Sequence, residues 1–172
     1  VRKISDFNLQ IKSGTWHRNL ARNFSEVTVG IIGLGSTGQE VARILRGLGF
    51  SLVAWTMHPE RHKDFIRDIG IRMLNSVDEI CALSNIITLH VRLSHKTENL
   101  IGSKQLKALR VNRGYLVNCS RSRIINYKEL KKALELEWIS GAALDVWPEE
   151  PITSKWLKEL ATHPRVVATP HM

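Results

Sequence analysis

The sequence is poor in cysteine and has no long apolar run, and these two absences exclude several classes of protein. Only two of its 172 residues are cysteines, Cys81 and Cys119. Without a cluster of ligand residues around them, they predict neither a disulfide framework nor a zinc site, and they favour a reducing cytoplasm. No apolar run approaches the roughly 18 residues of a membrane-spanning helix. We therefore expect no metal and no membrane partner.

The N-terminus has neither an initiator methionine nor the basic-then-apolar order of a signal peptide. It begins Val1-Arg2-Lys3-Ile4, so we expect this chain to have been cut from a longer protein. A length of 172 residues is enough for one domain of ordinary size with a sizeable core.

Positive charge is in excess, with a formal net charge of +9 at pH 7. The cations are dispersed along the chain, and short groups such as Lys131-Lys132 lie on the outer face of a helical pattern. No basic stripe with interleaved aromatic residues is present, so the sequence predicts no nucleic-acid partner. A field of this sign suits an anionic substrate and the phosphates of a dinucleotide.

From residue 27 onward, short apolar bursts alternate with helical patterns. The first burst is typical of a strand that is covered on both faces. The helical pattern that follows it places Val41, Ile44, Leu45 and Leu48 on one predicted apolar face. Strands are predicted at residues 27–32, 52–55, 86–91, 114–118, 142–146 and 166–169.

This alternation predicts an α/β fold, a doubly wound parallel sheet of the Rossmann-like kind, in a single domain. Ser76 and Asn126, each three residues before a glutamate, predict the starts of two helices. We place a connecting helix and arm at residues 1–20, where Trp16 is available for packing. The dinucleotide-binding domain itself is placed at residues 21–172.

The sharpest local signal is a glycine-rich turn, Gly33-Leu34-Gly35-Ser36-Thr37-Gly38. It directly follows a predicted buried strand and opens an amphipathic helix, which is the context that the dinucleotide fingerprint requires. Gly33 permits the tight turn, Gly35 lets the pyrophosphate approach the backbone, and Gly38 lets helix and strand pack closely. Free amides at the helix start, with Ser36 and Thr37, then meet the phosphates. The turn predicts NAD or NADP as the cofactor.

The end of the second predicted strand bears on the choice between NAD and NADP. The usual acidic partner of the fingerprint is missing from its expected place in Trp55-Thr56-Met57-His58-Pro59-Glu60-Arg61. Thr56 is still able to hydrogen-bond a ribose hydroxyl, whereas His58 and Arg61 suit a 2′-phosphate and would favour NADP. Glu60 follows a proline and is an imperfect substitute for the missing acid. The sequence leaves the two cofactors open.

Polar residues recur just past the carboxyl ends of the predicted strands. Arg121 follows the fourth strand, Asp145 and Glu150 close the fifth, and His171 follows the last. In an open parallel sheet these ends line one crevice, where ligands bind. Three of these residues suit the reduction of a carbonyl group. His171 supplies a proton, Glu150 holds its ring, and Arg121 offers a fork for the carboxylate of a 2-oxo acid.

Four segments of the sequence resemble the D-isomer-specific 2-hydroxyacid dehydrogenases, over a stretch from about residue 16 to the end. They occur in the family's order and at suitable spacing, which makes the resemblance specific. The segments are Val29-Gly30-Ile31-Ile32-Gly33-Leu34-Gly35, Leu116-Val117-Asn118-Cys119-Ser120-Arg121, Gly141-Ala142-Ala143-Leu144-Asp145-Val146-Trp147-Pro148-Glu149-Glu150-Pro151 and Ala168-Thr169-Pro170-His171.

The resemblance implies a role for each matching residue. It makes Arg121 the substrate-binding and polarising arginine, Glu150 the partner of the histidine, and His171 the acid and base. It also implies a small D-2-hydroxy acid or 2-oxo acid as the substrate, and a homodimer formed through this domain and the arm. The residues that it implies around the cofactor are His90, Val91, Arg92, Thr97, Cys119, Ser120 and Asp145.

Two departures from the family pattern carry expectations of their own. Ser122 replaces the glycine that usually follows the arginine, which predicts a strained local turn. The family's second, substrate-binding domain is built from segments on both sides of the dinucleotide domain, and both are missing from this chain. Closure over a substrate needs that domain, so we expect the chain alone to bind cofactor but to turn over poorly.

A dinucleotide-sensing binding module is the alternative to an enzyme. Corepressors of the C-terminal-binding type resemble the same superfamily and keep a similar trio, so Arg121, Glu150 and His171 do not separate the two hypotheses. A peptide-binding cleft in the missing N-terminal segment would favour the corepressor. Activity of the full-length protein on glyoxylate, hydroxypyruvate or phosphohydroxypyruvate would favour the enzyme. Another Rossmann protein, such as a methyltransferase, does not need this trio at three strand ends.

Overall fold

The computed structural model describes residues 4–18 and 23–172. In this part of the chain, seven strands form one sheet, and all six of its pairings are parallel. The strands are β1 (Thr28–Ile32), β2 (Ser51–Trp55), β3 (Arg72–Met73), β4 (Ile86–Leu89), β5 (Tyr115–Asn118), β6 (Gly141–Leu144) and β7 (Val166–Ala168). Their order across the sheet is β3-β2-β1-β4-β5-β6-β7. From β1 the chain first adds strands on one side of the sheet, and from β4 onward it adds them on the other side.

Helices connect the strands and cover both faces of the sheet. The α-helices are α1 (Ile4–Lys12), α2 (Ser36–Gly47), α3 (Lys63–Ile69), α4 (Val77–Leu83), α5 (Ser103–Leu109), α6 (Tyr127–Glu135) and α7 (Lys155–Ala161). Short 3₁₀ helices lie at Phe24–Glu26, Pro59–His62, Arg110–Asn112 and Ser122–Ile124. The predicted doubly wound α/β fold is confirmed.

The two faces of the sheet bury separate apolar clusters, because successive strand residues point to opposite sides. On one side, Ile31 of β1 packs in a cluster with Ala42 of α2. On the other side, Ile32 packs in a larger cluster with Ile80 of α4 and Leu106 of α5. Burial on both sides explains why the strands are continuous apolar runs rather than alternating patterns.

Helix starts at Ser76 and Asn126 are confirmed by their side-chain oxygens. Ser76 Oγ accepts a hydrogen bond from the Glu79 amide at 3.2 Å, and Asn126 Oδ1 accepts one from the Glu129 amide at 3.2 Å. Each satisfies one of the amides that the first turn of a helix leaves free.

The third predicted strand ends two residues earlier than expected. The ladder of β4 stops at Leu89, although the His90 amide still donates to the Ile32 carbonyl at 2.7 Å. His90 and Val91 therefore lie in the loop past the carboxyl end of β4. The sequence also gave no signal for β3, because a two-residue edge strand is too short to show a periodic pattern.

The predicted apolar face of α2 is wrong in part. Gly38 and Ala42 are the buried residues of this helix, whereas Ile44 and Leu48, which follows it, are 62% and 52% exposed. Two different stripes thus run along the helix, one toward the sheet and one toward solvent. The expectation failed because helical spacing alone does not say which of two adjacent stripes faces the core.

The N-terminal arm carries the predicted helix, α1, but Trp16 does not pack within the described chain. Its side chain is 78% exposed. The predicted boundary at residues 20 and 21 lies outside the described residues, as do residues 1–3 and 19–22 in general. None of the described helices combines the length and apolar character needed to cross a membrane.

Candidate active site

The residues predicted to carry the chemistry are found at one edge of the sheet. All strands run parallel, so the loops after β1, β2, β4, β5, β6 and β7 emerge at the same carboxyl edge. In chain order, those six loops carry the glycine turn, Thr56, His90, Arg121, Glu150 and His171, one in each loop.

The glycine turn is held by contacts that only glycine permits. Gly33 has φ +103°, a left-handed conformation that side chains disfavour, and its amide donates to the Trp55 carbonyl at 2.8 Å. A Cβ atom on Gly38 would lie 2.0 Å from the Gly33 carbonyl oxygen. Helix α2 therefore packs against the end of β1 at a distance that excludes any side chain at Gly38.

Gly35 has a different reason to be glycine. A Cβ atom built on it meets no heavy atom within 4 Å, and its φ of −66° is open to any residue. The amides of Ser36, Thr37 and Gly38, in the first turn of α2, have no acceptor among the described residues. Open space above a helix start with free amides is the shape and charge that fits a pyrophosphate. The turn therefore fits a dinucleotide.

A cleft of about 510 Å³ runs from this turn toward β5. Its position joins the glycine turn to the loops that follow β4 and β5. Nine residues predicted for the site line it, and Leu93 completes the lining. The nine are Gly35, Ser36, Thr37, His90, Val91, Arg92, Cys119, Ser120 and Arg121.

His90 lines the cleft and is partly buried. Its Nε2 atom is 2.9 Å from the Thr88 hydroxyl. Burial lowers the pKa of His90 below its usual value, so the ring is neutral at neutral pH. A neutral ring at this position adds no charge next to a dinucleotide.

Asn118 is a site residue whose role the sequence did not reveal. It is fully buried at the end of β5. Its Nδ2 donates to the Arg121 carbonyl at 3.1 Å, and its Oδ1 accepts from the Ser120 amide at 3.0 Å. The Ser120 hydroxyl in turn donates to the Val91 carbonyl at 2.9 Å. Asn118 thus folds the turn that presents Arg121 and ties it to the loop after β4.

We expect replacement of Asn118 by leucine to destabilise the chain by about 1–3 kcal/mol, since two backbone groups lose their partner. Urea unfolding measures the change. Asn112→Leu is the matched control, because the Asn112 amide donates a single bond, to the Ala82 carbonyl at 2.7 Å, far from the cleft. Only the change at Asn118 should also weaken dinucleotide binding; equal effects of the two variants on binding would contradict this positioning role.

Glu150 and His171 form a hydrogen-bonded pair, as the sequence led us to expect. His171 Nδ1 lies 2.8 Å from Glu150 Oε2, and the other carboxylate oxygen accepts from the Trp147 amide at 2.8 Å. The bond from His171, followed by that from Trp147, lowers the pKa of Glu150, so its carboxylate is charged at neutral pH. Both side chains remain partly exposed. His171 has φ +59°, an uncommon conformation for a non-glycine residue.

Asp145 connects the pair to the cleft. Its Oδ1 accepts hydrogen bonds from the Thr169 hydroxyl and from the Met172 amide, and these lower its pKa. It is close enough to Cys119 to raise the pKa of that thiol, although burial of the thiol is the larger cause. Since Cys119 lines the cleft and Met172 follows the histidine, Asp145 lies between the cleft and His171.

The segment after β2 lies beside the glycine turn but does not line the cleft. His58 Nδ1 is 3.3 Å from a Glu60 carboxylate oxygen, and Arg61 Nε is 4.0 Å from the same oxygen. Thr56, just past the end of β2, is partly buried. No group of three His, Cys, Asp or Glu residues that would suit a metal ion is found in residues 4–18 and 23–172.

Two expectations need correction. Thr97 does not line the cleft: its side chain is 0% exposed, and its hydroxyl donates to the Arg92 carbonyl at 2.6 Å. It therefore shapes the loop that carries Arg92 instead of offering a contact to a ligand. Ser122 begins a 3₁₀ helix and does not have a positive φ, so serine causes no left-handed strain there.

Comparisons with known proteins identify the relatives of this arrangement. A family model described as "D-isomer specific 2-hydroxyacid dehydrogenase, NAD binding domain" matches residues 1–172. The D-3-phosphoglycerate dehydrogenase of Methanocaldococcus jannaschii is 33% identical over 173 residues, which are 99% of this chain and 32% of that protein. The chain therefore spans about a third of the length of this relative.

Solved structures with bound dinucleotides have the same fold. The NAD-complexed D-isomer specific 2-hydroxyacid dehydrogenase of Lactobacillus delbrueckii matches with a TM-score of 0.81 and 32% identity, over 99% of this chain and 55% of that one. The enzyme of Xanthobacter autotrophicus, in complex with NADPH, matches with a TM-score of 0.86 and 27% identity, over 99% and 52%.

Proposed function

Because the chain belongs to the D-isomer specific 2-hydroxyacid dehydrogenases, as their NAD-binding domain, we propose that it serves hydride transfer between a nicotinamide dinucleotide and a D-2-hydroxy acid or its 2-oxo acid. The observation that carries this proposal is the Glu150–His171 pair, which lies at the same sheet edge as the glycine turn. The whole protein is then an oxidoreductase that acts on a CH–OH group.

The cofactor site is assigned to the glycine turn and the cleft. The amides of Ser36, Thr37 and Gly38 bind the pyrophosphate, and Gly35 leaves room for it. His90, Val91, Cys119 and Ser120 line the cleft toward β5 and would hold the rest of the dinucleotide. The bound nicotinamide supplies or accepts the hydride. Asp145, between the cleft and His171, would contact the nicotinamide end of the cofactor.

The chain's own side chains manage the charge that a carbonyl oxygen gains during reduction. His171 donates a proton to that oxygen through Nε2, because Nδ1 is held by Glu150. The Glu150 carboxylate, whose pKa is lowered by the bonds from His171 and the Trp147 amide, holds the ring by its Nδ1 atom and leaves Nε2 for the substrate. Arg121 is exposed at the rim of the cleft, and its guanidinium binds the substrate carboxylate as a planar fork. In the oxidation direction His171 accepts the proton.

Turnover by the full-length protein tests this proposal. We expect it to reduce at least one of glyoxylate, hydroxypyruvate and phosphohydroxypyruvate with a reduced nicotinamide dinucleotide, followed as loss of absorbance by the cofactor. We expect this chain alone to bind the cofactor but to turn over poorly. Dinucleotide binding without turnover of any 2-oxo acid by the full-length protein would instead favour a corepressor-type binding module.

We also propose that two copies pair through α2 and the N-terminal arm. Ile44 of α2 and Leu48, which directly follows it, are exposed, and so are Leu9 and Trp16 on the arm. Exposed apolar side chains of this size mark interaction surfaces when they cluster.

Both cysteines are free in this structure, which supports a cytoplasmic location for the protein.

Sedimentation velocity tests the pairing. We expect a dimer whose fraction rises with protein concentration, and Ile44→Glu should shift it to monomer because the change buries a charge at the contact. Val111→Glu is the matched control, since Val111 is 79% exposed beside α4 and α5, which cover the other face of the sheet. A wild-type chain that stays monomeric at every concentration would contradict the proposal.

A further inference from the structure

We propose that the dinucleotide used here is NADPH, and that Arg61 and His58 bind its 2′-phosphate. This inference rests on the proposed function, since it concerns the same cofactor site. The glycine turn does not separate NAD from NADP, because the two cofactors share the same pyrophosphate. Three features of the segment after β2 support NADPH: the segment has no free carboxylate, it lies beside the start of α2, and it holds an arginine and a histidine that pair with Glu60.

The first feature is the lack of a free carboxylate for the ribose. An NAD site of this fold hydrogen-bonds the ribose 2′-hydroxyl with an acid near the end of the second strand. Between Ser51 and His62 the sequence has a single acidic residue, Glu60. The residue directly after β2 is the neutral Thr56. An uncharged hydroxyl at that place does not repel a phosphate, whereas an aspartate would.

The second feature is the position of the segment beside the start of α2. Trp55, the last residue of β2, pairs with Ile32 and accepts the hydrogen bond from Gly33. The 3₁₀ helix Pro59–His62 is tied to the first turns of α2 by Gln39, whose Nε2 lies 3.1 Å from His62 Nδ1. Gln39 Nε2 also donates to the Leu34 carbonyl, so the two ends of the segment from Thr56 to His62 are tied to the glycine turn and to the start of α2.

The third feature is the set of contacts that Glu60 makes with His58 and Arg61, because a phosphate is able to take the place of the Glu60 carboxylate. Glu60 lies within 4.0 Å of both the His58 ring and the Arg61 guanidinium, so its carboxylate already has two partners. Its pKa is lowered, first by a hydrogen bond from the backbone and then by His58 and Arg61, so it is charged at neutral pH. The Arg61 side chain is 70% exposed and free to turn. A phosphate carries about two negative charges and three acceptor oxygens, so it competes with a single carboxylate for the Arg61 guanidinium and for the ring nitrogen of His58.

Calorimetric titration of this chain with NADPH and with NADH tests the inference. We expect NADPH to bind at least about tenfold more tightly than NADH. Arg61→Ala should weaken NADPH binding by about fivefold or more and leave NADH binding unchanged, because only NADPH loses a charge-assisted hydrogen bond. Arg67→Ala is the matched control: Arg67 is an exposed arginine on α3 that pairs with Asp64 and Asp68.

A second variant tests the inference in the opposite direction. Thr56→Asp places a carboxylate directly after β2, where it should accept the ribose hydroxyl of NADH and repel the 2′-phosphate of NADPH. We expect the preference to move toward NADH by about tenfold or more. Equal or tighter binding of NADH by the wild-type chain, or an equal response of both cofactors to Arg61→Ala, would overturn the inference and leave the proposed function standing. Failure of both cofactors to bind would contradict the proposed function itself.

Discussion

Replacing His171 with asparagine lowers kcat for reduction of a 2-oxo acid by about 10²- to 10⁴-fold in the full-length protein, the usual contribution of a positioned acid. Asparagine retains a polar group near Glu150 but has no proton to give at neutral pH. Dinucleotide affinity should change little, because His171 does not line the cleft. Initial rates at saturating substrate and a separate binding titration measure the two quantities.

A second histidine serves as the control for this prediction. His163 precedes β7, so it lies at the opposite edge of the sheet, where its Nδ1 accepts the Arg165 amide at 3.1 Å. His163→Asn should leave kcat near the wild-type value. A His171 variant that retained more than a tenth of the wild-type kcat would remove the acid and base from the proposed mechanism.

Glu150, the partner of His171, should affect how kcat depends on pH. The lowered pKa of Glu150 keeps its carboxylate charged across neutral pH, so His171 Nδ1 faces a negative charge at 2.8 Å. Glu150→Gln removes this charge and keeps a side chain of the same size. We expect the alkaline limb of the pH profile for reduction to move to lower pH. An unchanged profile with a lower kcat would indicate that Glu150 only orients the ring.

Replacing Gly35 with alanine weakens dinucleotide binding by about tenfold or more without loss of stability. The added methyl group enters space that is open in the free chain, so folding is unaffected. The same space is where the pyrophosphate approaches the helix start, so the methyl group crowds the ligand at a cost of about 1–3 kcal/mol. Calorimetric titration and thermal unfolding, measured on one sample, separate the two effects.

Two other glycines of α2 serve as controls for this prediction. Gly47, in the last turn of α2, also has open space at its Cβ position, so Gly47→Ala should change neither cofactor binding nor the fold. Gly38→Ala should destabilise the fold, because its Cβ atom would lie 2.0 Å from the Gly33 carbonyl oxygen. Unchanged dinucleotide affinity in Gly35→Ala would place the pyrophosphate elsewhere.

Much of the fold was predictable from the sequence because its signals are local. Apolar runs long enough to be buried on both faces marked six of the seven strands, and their repetition with helices predicted a parallel sheet. Strand β3 gave no signal, since two residues at the sheet edge depend on their neighbour for pairing. The burial of α2 was predicted only in part, because two apolar stripes compete on it and the sheet selects the one with Gly38 and Ala42.

The candidate site was predictable where a side chain acts from the end of a strand. The positions of Arg121, Glu150 and His171 after strands brought them to one edge, and parallel topology alone was enough for that prediction. Residues that act through buried hydrogen bonds were not predictable in this way. Asn118 organises the turn before Arg121, and Thr97 is buried under the loop of Arg92, yet both depend on which backbone groups the fold leaves unpaired.

A crystal structure of this chain with a reduced nicotinamide dinucleotide tests the central claim most directly. The account predicts the pyrophosphate at the amides of residues 36–38, the adenosine ribose beside Thr56, and the nicotinamide ring past Cys119 on the side of His171. A dinucleotide bound at the amino edge of the sheet, or one whose ring points away from the Glu150–His171 pair, would contradict it.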